Sequence, residues 1–182
     1  MKQVAIVEQD GRVFLIFEGD GVFWAVESEY VSPIFPHGFA LHTVTTTDDE
    51  LCKTYENASP PSLRIKAIER LYDEGFDVSV RLSPFIPEFV DVDKINAIKC
   101  DKILIEFLKV NTWVRKWFDI DYSEYTLKYG GYWHLPLERK IELASLITGF
   151  EQVSVGEYVQ EHYEYFRNNV NWNPMDCCNL RL

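Results

Sequence analysis

The chain lacks any apolar run long enough to span a bilayer, and its N-terminus has no basic stretch leading into an apolar one. Both absences argue against a membrane span or a secretory signal, and a cytoplasmic protein with no direct membrane contact is expected. Cysteine is scarce: Cys52, Cys100, Cys177 and Cys178 are the whole set in 182 residues. Four thiols so placed, two of them adjacent, do not make the framework of a secreted disulfide domain, so reduced thiols are expected. Basic residues are in short supply, 18 against 29 acidic, for a formal net charge of −11. A nucleic-acid backbone is held by a basic face, so direct nucleic-acid binding is not expected. An acidic surface can instead meet a basic groove on another protein, although acidity serves solubility equally well. No repeat or low-complexity segment interrupts the chain, and its length suffices for one domain with a proper core. The hydrophobic fraction of 47% argues against disorder.

The stretch from Phe76 to Asn111 organises the rest. Val78, Val80 and Leu82 alternate with Ser79, Arg81 and Ser83, the period of a strand with one polar face. Pro84 and Pro87 should stop that strand, because neither can donate to a ladder. Asp91 is placed to cap a helix through Ile98. Lys102 to Leu108 is nearly all apolar, as in a strand buried on both faces. Strand, helix and strand so close together indicate a βαβ unit with parallel strands. The polar groups at the ends of such strands, Arg81, Ser83, Glu106 and Lys109, are the candidates to face a ligand crevice.

Before that stretch, residues 2 to 28 have the pattern of a three-stranded antiparallel meander, with turns at Asp10-Gly11 and Gly19-Asp20-Gly21. Pro33, Pro36 and Gly38 mark a compositional boundary. The expected division is a meander over 1–31 and an α/β body over 39–182. Phe39 to Thr46 has the composition of a strand, and Thr47 with Glu50 has capping-box spacing. A helix opening at Ser62 and stopping at Gly75 follows. Beyond Asn111 the chain is aromatic and irregular to Trp133. A helix over Leu137 to Ile147, a strand over Val153 to Val155 and a helix over Tyr158 to Phe166 complete the pattern. Strands alternating with helices predict an α/β fold: a partial (βα) barrel with parallel strands, preceded by the small antiparallel β-meander.

The segment from Leu41 to Asn111 resembles the later strands of radical S-adenosylmethionine (SAM) enzymes of the spore photoproduct lyase-like branch. In those enzymes a strand ends in Thr-Thr before acidic helix starts. A helix ending in Gly then leads to a Val-Arg-Ile-Ser/Ala-Pro strand, followed by Ile-Pro-Gly and an Asp. Thr45, Thr46, Arg81, Ser83, Pro84, Ile86, Pro87 and Asp91 fall on that pattern, and Glu88 departs from it where the family often has Gly. The resemblance implies a barrel-derived fold and a vestigial ligand pocket around Thr45, Arg81, Ser83 and Glu106, with Arg81 and Ser83 where the family contacts SAM. The family holds its iron–sulfur cluster with a Cys-x3-Cys-x2-Cys loop after its first strand, and thiolates are the ligands such a cluster requires. No cysteine lies between Met1 and Thr47. The resemblance therefore implies ancestry without the family's reaction, and neither a cofactor nor catalytic residues are expected.

Two surface features remain. The aromatic belt holding Trp113, Trp117, Tyr125 and Tyr132 is rich in the residue types that anchor interfaces, though packing on the open side of a half-barrel would use the same residues. The first sixty residues carry ten acids against three bases, a net of −7. Glu8, Asp10, Glu18, Asp20, Glu27 and Glu29 are expected at strand ends and turns, as an exposed rim; acids there also guard strand edges. Cys177, Cys178, Asp176 and His162 form a poor metal set, because zinc ligands are normally separated by two to four residues. His134, between Trp133 and Pro136, should be packed rather than catalytic. The chain is similar in length and charge to anti-CRISPR proteins of phages and mobile elements that are directed at Cas9. That similarity implies a non-catalytic DNA mimic blocking a basic groove such as that of Cas9 or its guide complex. The alternative implied by the radical SAM resemblance is a SAM-binding component whose partner chain supplies the cluster.

Overall fold

A computed structural model of the chain describes residues 2–9, 12–19, 22–27 and 39–175, with side chains from residue 43 onward. The expected α/β architecture is present. Strands β1 (Lys2–Gln9), β2 (Arg12–Gly19) and β3 (Val22–Glu27) form an antiparallel meander, with Gln9 opposite Arg12 and Gly19 opposite Val22. A second sheet is wholly parallel and contains β4 (Phe39–Val44), β5 (Asp77–Phe85), β6 (Lys102–Phe107) and β9 (Gln152–Gly156), side by side in chain order. Sequential parallel strands joined by helices are the arrangement of a partial βα barrel.

The helical connections follow from local chemistry. Helix α1 (Asp49–Tyr55) is capped by Asp48, whose Oδ1 accepts the N–H groups of Glu50 and Leu51. The expected Thr47–Glu50 box is therefore displaced by one residue. Thr47 is used elsewhere: its hydroxyl accepts the Asp91 N–H at 2.8 Å. Helix α2 (Pro61–Asp73) opens on Pro61 itself, since proline at the first helical position loses no bond. Gly75, at φ +82°, ends it as expected. Strand β5 does not stop at Pro84. It runs on to Phe85 across a register shift between Leu82 and Phe85, a place where a missing donor is tolerated. Asp91 caps α3 (Val92–Asn96), which is two residues shorter than expected.

Beyond β6 come the short α4 (Val114–Trp117) and then a hairpin that the sequence reading missed. Strands β7 (Leu127–Tyr129) and β8 (Tyr132–His134) pair around Gly130 and Gly131, at φ +57° and +84°. Two successive positive φ values make the tight turn that glycine pairs favour. Helices α5 (Leu137–Ser145) and α6 (Gln160–Asn169) close the described fold.

The faces of the parallel sheet differ sharply. Val44, Val80, Leu82, Ile103, Ile105 and Val155 are fully buried on one face. Helix α2 packs on β4 and β5, and α6 packs on β9. The register places Thr43, Arg81 and Leu104 in line on the other face, with Ser154 beside Leu104 and Gly156 beside Glu106. That second face carries the polar residues, and its strands deliver them to the carboxyl edge of the sheet.

Candidate functional site

At that carboxyl edge Arg81 and Glu106 meet across neighbouring strands. Arg81 Nε donates to Glu106 Oε2 at 2.6 Å, and Nη2 lies 2.5 Å from the same oxygen. Gly156 leaves room for the Glu106 stem, since a Cβ there would sit 3.2 Å from Glu106 Cγ. Arg81 and Glu106 are both partly exposed, and each neutralises the other. Ser83 is half-buried further along β5, and Thr45 is half-buried just past β4. The Thr46 hydroxyl donates to the Phe89 carbonyl at 2.7 Å. The structure thus brings two of the four expected pocket residues into direct contact and leaves Thr45 and Ser83 as edge residues around them.

A second polar cluster, which the sequence reading passed over, lies nearby and is more deeply buried. Lys140 from α5 is 1% exposed and donates from Nζ to Glu157 Oε2. The Glu157 side chain is 3% exposed and sits directly after β9. Its other oxygen accepts the N–H groups of Tyr158 at 2.8 Å and Val159 at 3.2 Å. His162, in the first turn of α6, places Nδ1 3.1 Å from Lys140 Nζ. His134 is 1% exposed and packed, as expected, with its ring stacked on Tyr158 and Nε2 3.2 Å from the Tyr129 carbonyl. Lys109 lies over the outer face of Tyr158, 4.7 Å from the ring centre. No spacing in sequence announced this set, because its members lie on four elements that only the fold assembles.

Burial sets the protonation of the cluster. It lowers Lys140 from the ordinary lysine value, against the opposing pull of Glu157. It pushes the Glu157 carboxyl up, but the Lys140 charge and hydrogen bond, with the two backbone donors, outweigh it and hold Glu157 below its ordinary value. Burial lowers His162, aided by the Lys140 charge, and burial lowers His134. A histidine with a lowered folded pKa binds its proton in the unfolded chain first. Stability should therefore fall as the pH drops below about 6.5, the ordinary histidine value. Glu157 acts further down: its contribution is complete above its unfolded value near 4.5 and fades as pH falls through the lower folded value. Urea midpoints should thus decline between roughly pH 7 and pH 5, before most carboxylates titrate. A flat midpoint over that interval would show that the fold does not lower the proton affinity of either histidine.

The aromatic belt divides. Trp113 and Trp117 are 64% and 67% exposed, whereas Tyr132 is half-buried and Tyr125 is 6% exposed, a wall residue rather than part of an open surface. The cations near the belt face its own rings, Lys116 over Trp113 and Arg115 over Tyr122, at 4.8 and 4.7 Å. Phe118 packs edge-on against Tyr55 and Phe89 and anchors the end of α4 to the sheet edge. Of the acidic rim, Asp10, Asp20 and Glu29 lie outside the described residues. Glu18 falls in β2 and Glu27 at the end of β3. Asp176, Cys177 and Cys178 also lie outside the described residues, while Cys52 and Cys100 are buried free thiols. No group of three or more His, Cys, Asp or Glu among the described residues has the geometry of a metal site, and no described helix is long and apolar enough to cross a membrane.

No protein-family model matches the chain, and no curated protein or solved structure does.

Proposed function

We propose that the chain is a non-catalytic inhibitor that binds a protein with a basic nucleic-acid-binding groove, such as a defence nuclease of the Cas9 kind, and occupies that groove. The observation that carries this reading is the pair Trp113 and Trp117. They stand one helical turn apart at α4, each about two-thirds exposed. Large aromatics left in water on one side of a turn have the character of interface anchors. The net charge of −11, concentrated in the first sixty residues, supplies complementarity to a basic partner.

The reading separates two roles. Trp117→Ala should leave the melting temperature nearly unchanged, because the ring is exposed, yet raise the dissociation rate by tenfold or more, the effect of losing about 2 kcal/mol at an anchor. Replacing Asp10, Glu18 and Asp20 by Lys should instead slow association, most strongly at low salt, because rim charges steer encounter and are screened within about 8 Å at physiological ionic strength. The partner comes from a pull-down in bacterial lysate, and function from a Cas9 cleavage assay with the protein added. Absence of both a nuclease partner and any inhibition sinks the proposal.

A second reading, a SAM-binding component needing a partner chain for its cluster, is favoured by the Arg81–Glu106 pair at the carboxyl edge of parallel strands. The described thiols, Cys52 in α1 and Cys100 ahead of β6, are both buried, so on this reading the cluster's ligands come from the partner chain. Calorimetry with SAM, and an iron assay after anaerobic reconstitution, distinguish the two.

A further inference from the structure

Just beyond the carboxyl end of β6 the chain turns basic and aromatic together. From Phe107 to Phe118 it holds three bases, Lys109, Arg115 and Lys116, and no acid. The net charge of −11 averages over this stretch and hides it. Every base from Arg70 to Lys102 lies against a carboxylate, and so do Arg139 and Lys140. The four between them, Lys109, Arg115, Lys116 and Lys128, have no ion pair among the described residues, and all four are exposed.

The second observation is where these cations stand. Each lies over an aromatic ring: Lys109 over Tyr158 at 4.7 Å, Arg115 over Tyr122 at 4.7 Å, Lys116 over Trp113 at 4.8 Å and Lys128 over Trp133 at 5.6 Å. A ring holds a cation in place without cancelling its charge. Lys128 and Trp133 face each other across the β7–β8 hairpin, and Val110 bonds Trp133 in both directions. Trp113 is three residues on from Val110, so α4 begins within about 11 Å of the hairpin. Trp113, Trp133 and Tyr158 are exposed, and Trp117, at 67%, has neither a ring nor a cation against it among the described residues. Free charge and bare ring therefore share one surface.

We propose that this surface, α4 with the β7–β8 hairpin, binds single-stranded nucleic acid without regard to sequence, phosphates on the four cations and bases stacked on Trp113 and Trp117. Uncancelled cations call for an anion and bare rings for a flat partner, and a single strand offers both. A duplex presents its phosphates but keeps its base faces in its own stack. An acidic peptide presents carboxylates without the ring faces. The inference stands without the inhibitor reading. Joined to that reading, it sets this surface against the strand that the partner's groove carries, and the acidic first sixty residues against the partner's protein.

The test titrates a fluorescein-labelled twelve-nucleotide RNA of mixed sequence with the full chain and follows anisotropy, beside the same sequence as a duplex, a poly-glutamate peptide and phosphatidylserine vesicles. Saturable binding of the single strand is expected, with a Kd on the order of 10 μM at physiological salt, and binding of the other three weaker by about tenfold or more. With four cations on phosphates, the logarithm of affinity should fall against the logarithm of salt with a slope of about −3. Arg115→Gln with Lys116→Gln should make that slope shallower by about 1.4. Trp117→Ala should weaken binding about fivefold or more and leave the slope and the melting temperature unchanged. No saturation, a wild-type slope in the double variant, wild-type affinity in Trp117→Ala, or equal binding of duplex, peptide or vesicle overturns the proposal. If either variant melts early, Lys128→Gln on the hairpin decides, through a slope shallower by about 0.7. Strand binding without nuclease inhibition would sink the inhibitor reading alone, and inhibition without strand binding would sink this inference alone.

Discussion

Lys140→Met should destabilise the fold by about 3–5 kcal/mol, the loss typical of removing one partner from a buried ion pair. The cost lies in what is left behind. Glu157 keeps its two backbone donors but loses the Lys140 charge, in a place where its side chain is 3% exposed. His162, whose ring nitrogen faces Lys140 Nζ, loses that contact as well. Methionine matches the length of the lysine stem, so the effect is electrostatic rather than a cavity. The double variant Lys140→Met with Glu157→Gln should recover much of the loss, because no uncompensated charge then remains buried. Denaturant unfolding of wild type, both single variants and the double completes the cycle. If Lys140→Met unfolds within about 1 kcal/mol of wild type, the pair is not the buried electrostatic unit described above.

Gly149→Ala is expected to be nearly as damaging, by a different route. A Cβ on Gly149 would lie 2.1 Å from the Asn96 carbonyl oxygen and 2.6 Å from its Cα, and both are backbone atoms that no rotamer change can move. Asn96 also clamps this loop: its Oδ1 accepts the N–H groups of Thr148 and Gly149, and its Nδ2 donates to the Leu146 carbonyl. Relieving the clash means separating the end of α3 from the loop between α5 and β9, and so breaking those three bonds. A loss of roughly 3 kcal/mol or more follows. Asn96→Ala, which cuts the same bonds without forcing the backbones apart, should cost less. Thermal melts that rank the two the other way round, or a Gly149→Ala protein that melts with wild type, would contradict the close approach of these segments.

Much of the fold was legible because local chemistry and tertiary packing agree over most of the chain. The alternation around Val80, the apolar run of β6, the Asp91 cap and Gly75 each say the same thing locally and globally. Pro84 misled because a proline's lost donor is harmless at an irregular point in a ladder, and irregularity is a property of the pair of strands, not of one. The β7–β8 hairpin was hidden by its length: three residues a side give no readable alternation, and only Gly130-Gly131 marked it. The site was less legible than the fold. Arg81 and Glu106 were found because both lie on strands whose ends could be counted. Lys140, Glu157 and His162 were not singled out together, since an amphipathic helix conceals which of its charged residues points inward. Tyr125 carried the same aromatic signal as Trp117, yet one is a wall and the other is bare.

The sequential strand order also bears on how the chain acquires this structure. Each strand of the parallel sheet joins the one placed before it, so the sheet grows at one edge only and nothing need be threaded between strands already paired. Val80 finds Ile103 23 residues on, and Ile103 finds Val153 50 residues on. The whole aromatic segment with its hairpin sits inside that second interval. Because closure entropy grows only with the logarithm of loop length, roughly doubling the interval adds about 0.6 kcal/mol. Residues added at the exposed turns of the segment between β6 and α5 therefore carry little closure cost, while Val110, Tyr125 and Leu135 hold it to the core and the register of the sheet stays fixed.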